Sequence, residues 1–236
     1  MKKILLTLLA VVMVLALTLT VVACNPTEEE KPDDKNNLPI DPTSIDASLK
    51  DIAKGKKLYL TSIGQSDIDV ARNLLSAAGL KETTKEEAGD YETADLLKPI
   101  SAKDEQKDPA GTVYAEEGSV VFVVVGASTK GLGGAGTNIN DETARANAFA
   151  AAAKEGKLTI ISLHLGRQAR RGDLSDGIIS IVEKASAVML ISDDGKGAGG
   201  NYDGYMGNIA KENNIPAYCY SKATGMVAPL KYMLGL

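Results

Sequence analysis

From Gly126 to Asp141 the chain reads GASTKGLGGAGTNIND, with five glycines in its first eleven residues, directly after a run of valines. Glycines hung on the end of a buried strand leave backbone N–H groups unblocked, and with Ser128, Thr129 and Lys130 such groups suit a small anion or a polar metabolite. Gly126 and Gly131 have the spacing of a P-loop, but Leu132 and Gly133 stand where Lys and Ser/Thr are required. Gly131-Leu-Gly133-Gly-Ala-Gly136 spells G-x-G-x-x-G, yet it begins five residues beyond the strand, and no ribose-binding acid follows the next one. Gly126-Ala-Ser128-Thr-Lys130 fails the G-x-S-x-G pattern of a nucleophile elbow. No cofactor is expected from these motifs.

The other candidates follow other apolar runs. Ser62, Gly64, Gln65 and Ser66 stand where a helix begins, and free amides with the helix dipole favour an anion there; Ser66 or Asp67 could equally serve only as the N-cap. His164, the only histidine, ends an apolar strand as either a packing residue or a catalyst. Arg167, Arg170 and Arg171 can fork onto carboxylates and phosphates, or pair with Asp173 and Asp176 at the surface. No metal is expected, because His164 has no second histidine or cysteine as co-ligand and Asp193-Asp194-Gly195 lacks the spaced oxygens of a calcium loop.

The elements that must position these residues are short and regular. KKLYLTSI, SVVFVVVG, KLTIISLHL, SAVMLIS and IPAYCYS are continuous apolar runs rich in Val and Ile, too short for buried helices. Between them DIDVARNLLSAAGL, stopped by Gly79, and NDETARANAFAAAAKEG, stopped by Gly156, fit crossover helices, as do LSDGIISIVEKAS, YDGYMGNIAKENN and VAPLKYML. The series predicts an α/β fold: a single doubly wound parallel sheet, Rossmann-like or flavodoxin-like, with helices on both faces. Ligands of such sheets bind beyond the carboxyl ends of the strands, where the strand order reverses. The segment 81–118 predicts an edge strand near Lys81 to Thr84, a short helix around Thr93 to Leu97, and an irregular excursion over 98–118.

The N-terminus sets the place of the domain. Met1-Lys2-Lys3 precedes an unbroken apolar run from Ile4 to Val22, a secretory signal pattern. Val21-Val22-Ala23-Cys24 resembles the lipobox of bacterial lipoproteins, which implies cleavage after residue 23 and a lipid on Cys24. Residues 24–47 are acidic and proline-broken and read as a disordered tether, leaving 48–236 as the globular domain. With Cys24 lipidated, Cys219 has no disulfide partner and reads as a buried thiol. Losing Lys2 and Lys3 leaves 24 of the 26 basic residues against 31 acidic ones, a net charge of −7 that disfavours nucleic acid as a partner.

TSIGQS, VVVGASTKGLGGAG and GRQARRGDLSD, in that order, resemble a family of uncharacterised bacterial lipoproteins known as a domain of unknown function, over the chain from Leu58 to its end. The resemblance implies the fold and the localisation, and no activity. The expected function is a lipid-anchored binding protein on the extracytoplasmic side of the cell membrane. It would hold a small polar, anionic metabolite and pass it to a membrane transporter or receptor. The alternatives are a hydrolase or transferase using Ser128 or His164, and a surface protein with no ligand. Replacing Cys24 by alanine is expected to leave an unprocessed precursor, read as a slower band on a gel; a mature-sized, membrane-bound product from that variant refutes lipidation there.

Overall fold

Each of the five apolar runs forms a strand. The computed structural model describes residues 36–83, 90–93, 115–195, 201 and 203–236. Strands β1 (Leu58–Ile63), β4 (Ser119–Val125), β5 (Leu158–His164), β6 (Val188–Ser192) and β7 (Ala217–Tyr220) lie in one sheet with two short ones, β2 (Glu82–Thr83) and β3 (Tyr91–Thr93). All pair in parallel, in the order β2-β3-β1-β4-β5-β6-β7. The sheet is doubly wound: from β1 the chain runs to the edge at β2 and back through β3 on one side, and from β4 it moves outward to β7 on the other, so the switch point lies between β1 and β4.

The helices are α1 (Ile68–Ala78), α2 (Thr129–Ala135), α3 (Ile139–Lys154), α4 (Asp176–Glu183), α5 (Tyr205–Asn213) and α6 (Val227–Leu234). Strand side chains alternate between two cores, as a period of two requires. Val120, Phe122 and Val124 of β4 pack with Leu74 and Leu75 of α1 and Leu230 and Met233 of α6. Val121, Val123 and Val125 pack with Phe149 of α3, Ile178 and Val182 of α4 and Met206 of α5. Burial on both faces is why β4 can read SVVFVVV without a polar break. Gly79 stops α1 as expected, with its N–H returned to the carbonyls of Leu75 and Ser76.

β2 falls at the expected edge. β3 is a departure: three residues carry no readable period, and their place is set by pairing Glu92 with Tyr59 and Thr93 with Leu60. Thr93 therefore ends a strand instead of opening a helix. The rest of that expected helix, and the excursion up to residue 114, lie outside the described residues.

A second departure concerns the stretch assigned to the tether. Residues 36–46 are held against the outer edge of β7. Ile40 bridges Cys219 in parallel, and Asp41 donates its N–H to the Cys219 carbonyl at 2.9 Å. Both backbone groups of Leu38 bond the Asn201 side chain at 2.9 Å, and Asp46 donates its N–H to the Tyr218 hydroxyl. Backbone partners on a sheet edge outweigh an acidic, proline-broken composition, so the ordered part of the chain begins before Ser48. Cys219 is buried as expected, and burial, followed by the nearby Asp193, pushes its thiol up to about 12.

One core carboxyl group titrates abnormally. Glu183, fully buried at the end of α4, accepts a hydrogen bond from Ser162 of β5 with Oε2, while Oε1 has no hydrogen-bond partner. Burial raises its carboxyl from 4.5 to about 8, against a smaller opposing effect of Ser162. A raised acid binds its proton more tightly in the folded state. Its contribution to stability is therefore complete below pH 4.5 and is lost as pH rises to about 8, at roughly 1.4 kcal/mol per pH unit. Glu183→Gln is expected to remove that slope, so that the variant out-melts the parent at pH 8 and matches it more closely at pH 4.5; identical pH dependences in thermal melts refute a protonated Glu183.

Candidate functional site

The loop after β1 and the loop after β4 meet at the switch point, and both are glycine-dependent. Gly64 has φ +94°, and a Cβ there would lie 2.4 Å from the Gly126 carbonyl oxygen. With no side chain between them, the two backbones join directly: Gly126 N–H donates to the Ile63 carbonyl at 3.1 Å and Ser128 N–H to the Gly64 carbonyl at 3.0 Å. Ser66 Oγ adds a 2.6 Å bond to the Gly126 carbonyl, and Ser62 Oγ accepts from Ser66 N–H at 3.0 Å.

The glycine run itself is not the open loop its composition predicts. Thr129–Ala135 forms the two-turn helix α2, capped by Ser128, whose side chain accepts from Gly131 N–H, and closed by Gly136 in the left-handed region. Buried Leu132 fastens it to the domain, and Gly131 lies so near the Gln65 carbonyl that a Cβ would meet it at 1.9 Å. The amides of Gly126, Ala127, Ser128 and Gly131 are bonded to Ile63, Ser175, Gly64 and Ser128 respectively. The expected convergence of free amides on one point is therefore corrected. Thr129 and Lys130 form the exposed outer turn of α2.

An anion does sit against the β1–α1 loop, and the protein supplies it. Glu142 of α3, 1% exposed, accepts from Gly64 N–H at 2.7 Å and from Gln65 Nε2 at 3.2 Å. Arg145, one turn further and equally buried, donates to both Glu142 oxygens at 3.0 and 2.8 Å, to the Ser62 carbonyl at 3.1 Å and to Thr61 Oγ1 at 3.0 Å. Neither residue was expected at the site. Their signal is readable afterwards: Glu142, Arg145, Ala146 and Phe149 fall on one helical face, so a charged pair lies on the stripe that an apolar face should fill.

The three arginines go to three places. Arg170 Nε bonds Asp67 Oδ2 at 3.0 Å; Arg167 reaches Asp194 at 3.1 Å and the Ser221 carbonyl at 2.8 Å. Arg171, with 10% of its side chain exposed, pairs with Asp176 and Asp203 and lies 3.8 Å from the Tyr205 ring centroid. His164 has no exposed surface. Its Nε2 stands 3.1 Å from the Arg167 carbonyl, an acceptor only, so Nε2 carries the proton. Burial holds its pKa below the ordinary value, partly offset by that carbonyl. A residue so enclosed cannot meet a substrate, and the Ser128 hydroxyl is engaged as a cap.

What opens to solvent is a cavity of about 720 Å³ beyond the carboxyl end of β1, lined by Thr61, Ser62, Gln65, Ser66, Asp67 and Asp69, and further by Ile68, Val70, Arg72, Glu82 and Gly131. Of the expected site residues it gathers Ser62, Gln65, Ser66 and Gly131, with Arg170 behind Asp67. Lys130, Arg167 and Arg171 are not among its described walls. Gln65 and Asp67 both hold positive φ, 58° and 55°, a backbone cost that the Glu142 and Arg170 contacts offset. Because a carboxylate only accepts, Glu142 holds the Gln65 amide nitrogen and leaves Oε1 as the group it can present to the cavity.

Glu142→Ala leaves Arg145 charged and buried without its carboxylate and is expected to cost about 3–5 kcal/mol, since a buried pair loses more from one missing partner than from the absence of both. Urea titration measures this; a loss under about 1 kcal/mol refutes the role given to the pair.

No curated protein and no solved structure matches the chain. The model of a family described as a domain of unknown function (DUF6305) matches residues 55–234, from just before β1 to the last turn of α6. The chain therefore belongs to the DUF6305 family.

Proposed function

We propose that this protein is a lipid-anchored, extracytoplasmic binding protein for a small polar metabolite, with the 720 Å³ cavity beyond β1 as its site. One observation carries the reading: an open, polar-walled cavity at the switch point of a parallel sheet, where such folds take their ligands. The anchor and the location rest on Lys2, Lys3, the run from Ile4 to Val22, and Cys24, all outside the described residues. Among the described residues no helix is long and apolar enough to cross a membrane. A membrane transporter or receptor is the natural recipient of such a ligand.

The walls shift the expected ligand away from an anion. Their described charges are the carboxylates of Asp67, Asp69 and Glu82 against the guanidinium of Arg72, which bonds Asp69 at 2.7 Å and stands 3.4 Å from Glu82. Gln65 Oε1 adds an acceptor. Acceptor-rich walls favour a ligand rich in donors, a polyol or a primary amine, and repel a second carboxylate or phosphate. The closure of the two loops on each other would also suit a surface protein with no ligand, and the same experiment separates the two readings.

That experiment is a thermal-shift panel of polyols, primary amines and small anions on a soluble chain beginning at Lys35, which keeps the segment on β7. A ligand at 100 times its dissociation constant adds about 2.7 kcal/mol, or roughly 5–10 °C for a domain of this size. Polyols or amines should give the shift and Asp69→Asn should reduce it. A shift from anions alone refutes the ligand class, and no shift from any class favours the protein without a ligand.

A further inference from the structure

We infer that this protein has a second ligand site, a cavity of about 380 Å³ between residues 42–45 and α6, which takes a small uncharged ring compound bearing a carbonyl oxygen. It is independent of the cavity beyond β1, because Tyr220 of β7 lines it and β7 lies four strand positions from β1 across the sheet.

Two pinned points shape the cavity. Asp41 is tied to β7 twice, its N–H donating to the Cys219 carbonyl at 2.9 Å and its Oδ1 accepting from Ser221 N–H at 3.0 Å. Asp46 donates its N–H to the Tyr218 hydroxyl at 2.7 Å, and shortly after it Leu49 is buried in the core. Residues 42–45 are therefore an arch held at both feet, with Pro42 and Ile45 half-buried and Thr43 and Ser44 exposed. Ala228, Pro229 and Tyr232 of α6 form a further wall. A cavity whose walls are fixed before a ligand arrives leaves little ordering to offset.

Tyr220 supplies the polar group. It is 4% exposed and lines the cavity, and its hydroxyl has no hydrogen bond among the described residues. Tyr218, two residues earlier on the same face of the sheet, has its hydroxyl engaged by Asp46. Gly225, just before α6, makes room for the Tyr220 ring: a Cβ there would lie 2.8 Å from Tyr220 Cδ1. Burial, followed by the nearby Tyr218 and Asp41, pushes the Tyr220 hydroxyl up to about 12, so at neutral pH it remains a donor. A donor so enclosed calls for an acceptor. None of the cavity's described walls carries a formal charge, so nothing there would offset the loss of water from an ionised ligand. The rings of Tyr220 and Tyr232, with Pro42, Pro229 and Ile45, favour a flat apolar body. The volume falls within the range of about 300–1,000 Å³ that small-molecule sites occupy.

The probe is para-fluorobenzamide, followed by fluorine NMR line broadening on the full chain in detergent micelles, with micelles alone as the blank. The amide should broaden when the protein is present, and para-fluorobenzoate, of the same shape but charged, should not. Tyr220→Phe keeps the ring and removes the donor, and should weaken the amide's affinity about threefold to tenfold. Ala228→Trp, at an exposed position of α6, should fill the cavity and abolish the broadening. No broadening by the parent protein, or broadening that survives Ala228→Trp, overturns the site. Equal broadening of the benzoate overturns the uncharged class of ligand, and an affinity unchanged in Tyr220→Phe overturns the part given to the hydroxyl.

Discussion

The buried pair of Glu142 and Arg145 is the constraint from which the site takes its shape. Two opposite charges removed from water are tolerable only when they are well supplied with hydrogen-bond partners, and here the end of β1 and the β1–α1 loop supply them. Gly64 N–H and the Gln65 amide donate to the carboxylate; the Ser62 carbonyl and Thr61 Oγ1 accept from the two terminal nitrogens of the guanidinium. Moving that loop would strand a charge, so the pair dictates where β1 ends and how its last residues face the cavity. α3 thus acts on the site without lining it.

The glycines read differently once this is seen. Gly64 and Gly131 let backbone approach backbone, giving two loops that interlock by main-chain bonds, with Ser66 Oγ on the Gly126 carbonyl as a further tie. Interlocked loops make a rigid floor and a poor lid. The cavity beside them is held open by fixed groups, among them Asp67 pinned by Arg170, and a ligand entering it would have little ordering of the floor to offset.

Legibility from sequence tracked the scale of the interaction. β1, β4, β5, β6 and β7 were readable because burial on both faces writes an unbroken apolar run, and Gly79 and Gly156 punctuate as single residues can. Helix α2 was not, because seven residues with three glycines have almost no intrinsic helicity; its cap at Ser128 and the burial of Leu132 hold it. β3 exists through its neighbours. Residues 36–46 looked like solvent-loving tether because their stability lies in backbone bonds to β7, which composition does not record. Ser62, Gln65 and Ser66 were found by reasoning about strand ends, whereas Glu142 and Arg145 were missed because charged residues on a helix are by default assigned to its wet side.

The segment at residues 36–46 and its dock stand at opposite ends of the chain, 163 to 180 residues apart in sequence. Contacts of such separation close late, since the entropy of the intervening loop must be lost before they return anything. β7 is the last strand made, and until it is in place the early segment lacks its bonds to Tyr218, Cys219 and Ser221. Its closure therefore reports completion: a chain that stalls before Ala217 keeps a loose acidic leader and never seals a sheet edge, the kind of open edge that recruits other unfinished chains. The final seam of the fold can close only on a chain that has been made as far as its last strand.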